Sequence, residues 1–271
     1  MPEAQRDETL ADLMAASPTI MEVAGVGKTF RTHTGSIVIA LSPTDIRVAK
    51  GEFLSIVGPS GCGKTTLLNI MAGLTAPSIG AIRFPGHPGP GTPHIGFVFQ
   101  RPVLLPWRRV IDNVLLPAEV MRLTPRATYE QRAHELLAMV GLTEFESAYP
   151  GELSGGMQQR TAIVRSLVYD NPVLLMDEPF AALDAMTREE LNLELLRIWQ
   201  MSGRSIVFVT HNIPEAVLMS DRVAVMTARP GQVRDIVTVD LPRPRALSLL
   251  GDSRFGELVE QIRDLLRAGH A

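Results

Sequence analysis

Apolar positions along the chain fall into short strand-type runs and longer helical stripes. TIMEVAGV (19–26), SIVIA (36–40) and DIRVA (45–49) read as strands separated by the turn residues Gly35, Ser42 and Pro43. FLSIV (53–57) is a short, continuously apolar run of the buried kind, leading into a glycine loop. KTTLLNIMAGL then predicts a helix ending near Gly73. PGHPGPGTP (85–93) predicts a surface loop, and HIGFVF a strand after it. From Pro102 to Tyr169 the period turns helical, with helices expected around 110–122, 126–140 and 155–169. Strand runs return at VLLM (173–176), SIVFV (205–209) and RVAVM (222–226), with helices between. Such alternation predicts a mostly parallel sheet covered by helices, with a helical lobe at about 102–168 inserted in it. Near the C-terminus Phe255, Leu258, Val259, Ile262, Leu265 and Leu266 share one helical face. That face suits docking on its own domain or, alternatively, a subunit contact.

The pattern divides the chain into a flexible tail (1–17), one large domain (18–230) and a C-terminal extension (231–271) ending in the amphipathic helix. Over 271 residues, 45% hydrophobic and 20% charged, the composition is that of an ordinary globular protein. The net charge of −3 argues against a general nucleic-acid binder, so no nucleic-acid partner is expected. Cys62 is the one cysteine, which rules out an intrachain disulfide and suits a reducing compartment. The first residues carry Glu3, Asp7, Glu8 and Asp12 and lack an apolar core, unlike a signal peptide. No run approaches the ~20 apolar residues of a membrane span.

Chemistry enters at GPSGCGKT, which fits the phosphate-loop pattern from Gly58 to Thr65. Gly58, Gly61 and Gly63 let successive backbone N–H groups curl toward anionic oxygens, with Pro59, Ser60 and Cys62 between them. The following helix start, through Thr66, adds its partial positive charge. Lys64 is expected to reach the β- and γ-phosphates and the Thr65 hydroxyl to bind Mg²⁺. The loop's positive potential also suggests that the Cys62 thiol is open to alkylation. In VLLMDEP, an apolar strand delivers Asp177 and Glu178 to the strand end where open α/β sheets bind ligands. Asp177 is expected to hold Mg²⁺, and Glu178 to orient and deprotonate the attacking water.

LSGGMQQR, preceding that strand, makes the resemblance specific. From about Thr19 to Met226 the chain resembles the ATP-binding subunit of an ABC transporter. The resemblance implies an α/β fold: a P-loop NTPase core of mostly parallel sheet with helices on both sides, an antiparallel β subdomain and an inserted α-helical subdomain. It implies that Gln100, in IGFVFQ, is the Q-loop glutamine at the metal and catalytic site. Asp184, in ALD, matches the D-loop. His211, in FVTHN, matches the switch histidine that contacts the γ-phosphate, and Phe30 takes the place of the aromatic residue that stacks on adenine. His33, His87, His94, His134 and His270 fit no metal spacing and read as surface residues.

The second glycine-opened helix start needs its own explanation, since one phosphate loop already cradles a triphosphate. The resemblance implies a head-to-tail homodimer with two ATP molecules at the interface. Ser154, Gly155 and Gly156 would cap the nucleotide held by the twin's phosphate loop, so that ATP binding closes the dimer. LLPWRRVIDNV, DEPFAALDAMTREEL and ARPGQV resemble the nitrate, sulfonate and taurine importer branch, in which Met157 often replaces the commoner glutamine. That branch implies permease subunits in the membrane, a solute-binding protein acting through them, and a peripheral position at the cytoplasmic face of the inner membrane. Trp107 is either core or part of a groove for a permease helix. The alternative is a soluble ABC-type ATPase of DNA repair or translation.

Overall fold

A computed structural model describes residues 17–85, 95–227 and 230–268. Most of the expected tail, the expected loop from Gly86 to Pro93, and His87, His94 and His270 lie outside the described residues.

Strands β1 (Thr19–Arg31), β2 (Ile37–Ala49) and β4 (Ile79–Arg83) form an antiparallel sheet in the order β2-β1-β4. The expected turn at Gly35 is present, with φ +83°. The expected break at Ser42 and Pro43 is not. β2 passes through both residues, and the register slips there, between the pairs Val26–Thr44 and Lys28–Leu41. An edge strand tolerates a proline because the missing N–H can lie on the unpaired side. Strand β4 is largely exposed, so its sequence shows no buried alternation to betray it.

The main sheet runs β5-β6-β7-β3-β8-β9, with β3 at Phe53–Val57, β5 at Ile95–Val98, β6 at Val173–Asp177, β7 at Ser205–Thr210, β8 at Arg222–Met226 and β9 at Val233–Thr238. All pairs are parallel except β8 with β9. β9 therefore continues the sheet beyond Pro230, where the sequence suggested that the domain ended.

Alternate residues of the buried strands enter two cores. On one face Leu174, Met176, Ile206 and Phe208 pack with helices α2 (Val110–Val120), α3 (Arg126–Met139), α4 (Gly155–Leu167) and α5 (Ala185–Ser202). On the other, Val173, Leu175, Val207 and Val209 pack with α1 (Lys64–Met71) and the antiparallel sheet. A third cluster joins α6 (Ile213–Met219), β8, β9 and α7 (Ser253–Arg267). There Phe255, Leu258, Val259 and Ile262 of α7 are buried, with Leu265 and Leu266 packed beside them. The amphipathic face thus docks on its own chain. Arg245 fastens this region by donating to the α6 carbonyls of Val217 and Leu218, and burial pulls its pKa down to about 9.

Candidate functional site

Because β5, β6, β7 and β3 are parallel neighbours, their C-terminal ends lie along one edge of the sheet. Gln100 follows β5, Asp177 and Glu178 close β6, His211 follows β7 and the glycine loop follows β3. Residues spread over more than a hundred positions of sequence are brought together by topology.

In the loop Lys64 is buried and its Nζ donates to the Gly58 and Pro59 carbonyls at 2.8 and 3.1 Å. Gly63, the N-cap of α1, takes φ +99°, and a side chain there would press on the Ala40 carbonyl at 2.8 Å. No side chain caps α1 and no acid lies in its first turn, which leaves its amides open to an anion. The Thr65 hydroxyl donates to Asp177 Oδ1 at 3.1 Å. Burial raises the Asp177 pKa and the Thr65 bond opposes it. A hydroxyl and a carboxylate in contact are hard oxygen donors of the kind Mg²⁺ takes. No group of three or more His, Cys, Asp or Glu placed to hold a metal exists among the described residues.

Glu178 adopts φ +44°, a left-handed conformation costing ~1–3 kcal/mol in a non-glycine residue. Its N–H donates to the Val209 carbonyl at 2.9 Å, which ties the strained residue to β7. One carboxylate oxygen meets His211 Nδ1 at 2.9 Å and the other lies 3.9 Å from Lys64 Nζ. An acid, an imidazole and an ammonium thus converge beside the phosphate cradle. Such a group can orient a water and withdraw its proton. Gln100 is exposed at the same edge.

Phe30, 42% exposed at the end of β1, has Lys28 Nζ 5.0 Å from its ring centre. Its strand contributes to the same core as α1. The other glycine-opened helix belongs elsewhere. Ser154 is exposed and caps α4, its Oγ accepting from Met157 N at 3.3 Å. Ile163, Val164 and Leu167 of α4 pack on the face of the sheet opposite to α1. Among the described residues no hydrogen bond or ion pair links 152–160 with the phosphate loop. Gly155 and Gly156 instead lie beside Leu183 and Thr187, residues that flank Asp184 along the chain. A methyl added at Gly155 would meet Leu183 at 3.8 Å, and one at Gly156 would meet Thr187 at 3.1 Å. Asp184 caps α5 by accepting from Thr187 N at 3.0 Å, a bond that holds its carboxyl below the usual range.

Two expectations change. Cys62 is 1% exposed and packed in the core under the loop, and burial raises its pKa, so it is not the open, activated thiol suggested by its neighbours. Trp107 is 72% exposed, which removes the core alternative, and Phe99 and Val103 are exposed in the same segment. Met157 packs against the helical core. Sequence reading missed the residues that shape this surface. Asn113, fully buried, binds the Leu105, Arg108 and Arg109 carbonyls through its amide, and Arg165 binds those of Pro102 and Val103. It also missed Gly231, which lies so close to the loop that a methyl there would fall 1.8 Å from the Cys62 carbonyl oxygen. The Arg165 and Gly231 contacts join segments far apart in the chain, which neighbouring residues do not signal.

The family described as ABC transporter matches residues 41–181. The chain is 41% identical over 247 residues to a nitrate import ATP-binding protein of Synechococcus elongatus, covering 89% of each. It is 42% identical over 248 residues to a taurine import ATP-binding protein of Rhizobium johnstonii, covering 88% of this chain and 93% of the relative. The solved dimer of an ATP-binding cassette in a post-hydrolysis state with ADP and Pi superposes with a TM-score of 0.70 at 32% identity, covering 81% of this chain and 99% of that one. None of these relatives is a repair or translation ATPase.

Proposed function

The chain belongs to the ABC transporter family and hydrolyses ATP; from that premise we propose that it energises a membrane importer of a small anion such as nitrate, a sulfonate or taurine, or a related small solute. The nitrate and taurine importer relatives support the solute class. ATP is held by Lys64 and the amides of Gly58 to Thr66, with Phe30 against the adenine. Thr65, Asp177 and Gln100 would hold Mg²⁺, which would neutralise charge on the phosphates. Glu178 takes the proton of the attacking water, and His211 bonds the γ-phosphate while its Nδ1 stays on Glu178.

The observation that carries the arrangement is the placement of α1 and α4 on opposite faces of the sheet. Ser154, Gly155 and Gly156 present open amides that this chain's own nucleotide does not use. A second copy, docked head to tail, supplies the phosphate they cap, with Asp184 at the same seam. Hydrolysis removes that shared contact and opens the dimer. The segment with Phe99, Val103 and Trp107, held in shape by Asn113 and Arg165, offers an apolar surface to a permease subunit. No helix among the described residues is long and apolar enough to cross a membrane. The proposed attachment at the cytoplasmic face is through the permease, and contact with a solute-binding protein is indirect.

ATPase activity of the isolated chain should rise faster than linearly with protein concentration in the dilute range. Strict proportionality would refute the shared site. Copurification with a permease subunit, followed by ligand screening of the associated binding protein, tests the importer reading.

A further inference from the structure

Behind the catalytic edge lies a carboxylate that none of these roles uses. Glu215, on α6, is 7% exposed. Its Oε1 accepts from Asn192 Nδ2 at 3.1 Å, and its Oε2 accepts a short hydrogen bond from the Thr210 hydroxyl. Thr210 is the last residue of β7 and directly precedes His211. The same hydroxyl accepts from Asn212 N at 3.0 Å, and Asn212 Oδ1 in turn accepts from Glu215 N at 3.1 Å. Both chain neighbours of His211 are therefore bonded by Glu215, Thr210 by its carboxylate and Asn212 by its main-chain N–H, and the Asn212–Thr210 bond closes the ring.

His211 needs such a hold. Its side chain is 57% exposed, so little packing restrains the ring, and the backbone sets where Nδ1 meets Glu178. The other end of the network is also informative. Asn192 is buried on α5, the helix capped by Asp184. Arg188, one turn before it, donates to the Phe180 and Leu183 carbonyls and so shapes the turn between Glu178 and Asp184. Glu178, Arg188, Thr210, His211 and Glu215 line one small cleft. The charged and titratable groups facing Glu215 are Arg188 from α5 and His211 from the end of β7.

We infer that Glu215 is a positioning residue: it locks His211 against Glu178 and ties it to α5, so that the segment carrying Asp184 and the one carrying His211 move as a unit. The inference rests on the catalytic role of His211 proposed above. Burial drives the Glu215 pKa up, while the Thr210 and Asn192 bonds oppose the rise. The network does not require the negative charge. Asn192 Oδ1 has no hydrogen-bond partner among the described residues. If the Asn192 amide flips, a glutamine at 215 donates to that oxygen and still accepts from Thr210. Alanine leaves the Thr210 hydroxyl proton without an acceptor and the Asn192 amide without its partner, while the Asn212 N–H bond to Thr210 remains.

The test measures kcat, KM for ATP and the ring NMR signals of His211, assigned by their loss in His211→Ala. Glu215→Ala should lower kcat about 10–10²-fold, the cost of misplacing a catalytic group by about 1 Å, with little change in KM. It should also shift or broaden the His211 signals. Glu215→Gln should restore kcat to within about threefold of the parent and return the His211 signals to their original place. Thr210→Val, which removes the hydroxyl link alone, should move the same signals and covers the case in which Glu215→Ala does not fold. Unmoved His211 signals in either variant would overturn the inference, whatever happens to kcat. Unchanged kcat in His211→Ala would instead refute the catalytic role of His211, while the signals still report whether Glu215 positions it.

Discussion

Helices α1 and α4 both begin at a glycine turn and carry no acid in the first turn, yet their surroundings are opposite. The start of α1 is enclosed. Lys64 is folded over it, Gly63 is forced to φ +99°, and Ala40, Met226 and Gly231 press on its loop from behind. The start of α4 is open, with Ser154 exposed and its hydroxyl closing one amide at 3.3 Å. An enclosed cradle binds an anion by itself. On the reading proposed above, an open one provides half of a binding site and a second copy provides the rest. The difference teaches that two matching local motifs acquire different partners from the sheet face on which each helix packs.

Substitutions at the enclosed site should be the most damaging. Glu178→Gln removes the proton acceptor but keeps the shape, so turnover should fall ~10²–10⁴-fold with ATP binding intact. Loss of ATP binding, measured by nucleotide titration, would contradict the assignment. Gly231→Ala should be next. A methyl 1.8 Å from the Cys62 carbonyl oxygen forces the loop backbone to shift. KM for ATP is then expected to rise about 10–10²-fold, equivalent to ~1.4–2.7 kcal/mol. An unaltered KM would show that the loop is less tightly backed than its contacts imply. The smallest effect concerns chemistry the enclosure suppresses. With its pKa raised by burial, Cys62 carries less thiolate at a given pH than a free thiol. Iodoacetamide should label the native chain at pH 8 at least ~10-fold more slowly than the unfolded chain. Equal rates would mean that the loop opens readily.

Much of the site was legible in the sequence because its chemistry depends on backbone-adjacent spacing. Gly58 to Thr66 are contiguous in the chain, and Asp177, Glu178 and His211 each stand at or just past the end of a mainly apolar, buried parallel strand. Residues whose roles depend on approach from another element were not legible. Gly231 resembles any loop glycine until β2 and the phosphate loop are seen on either side of it. Glu215 reads as an ordinary acid in the first turn of a helix until Asn192 and Thr210 surround it. Strand β9, VRDIVT, escaped notice because it is an edge strand with charged residues facing out. Cys62 misled because its sequence neighbours suggest positive potential, whereas burial dominates its environment.

The claim that Ser154 serves the nucleotide of a second copy is tested most directly by mixing two defective chains. Lys64→Ala disables the cradle of one chain, and Ser154→Arg blocks the open helix start of the other. Each alone should be inactive. In a head-to-tail dimer of the two, one site combines the intact cradle of one chain with the intact Ser154 of the other, so the mixture should regain ATPase activity. A mixture as inactive as its components would contradict the shared site.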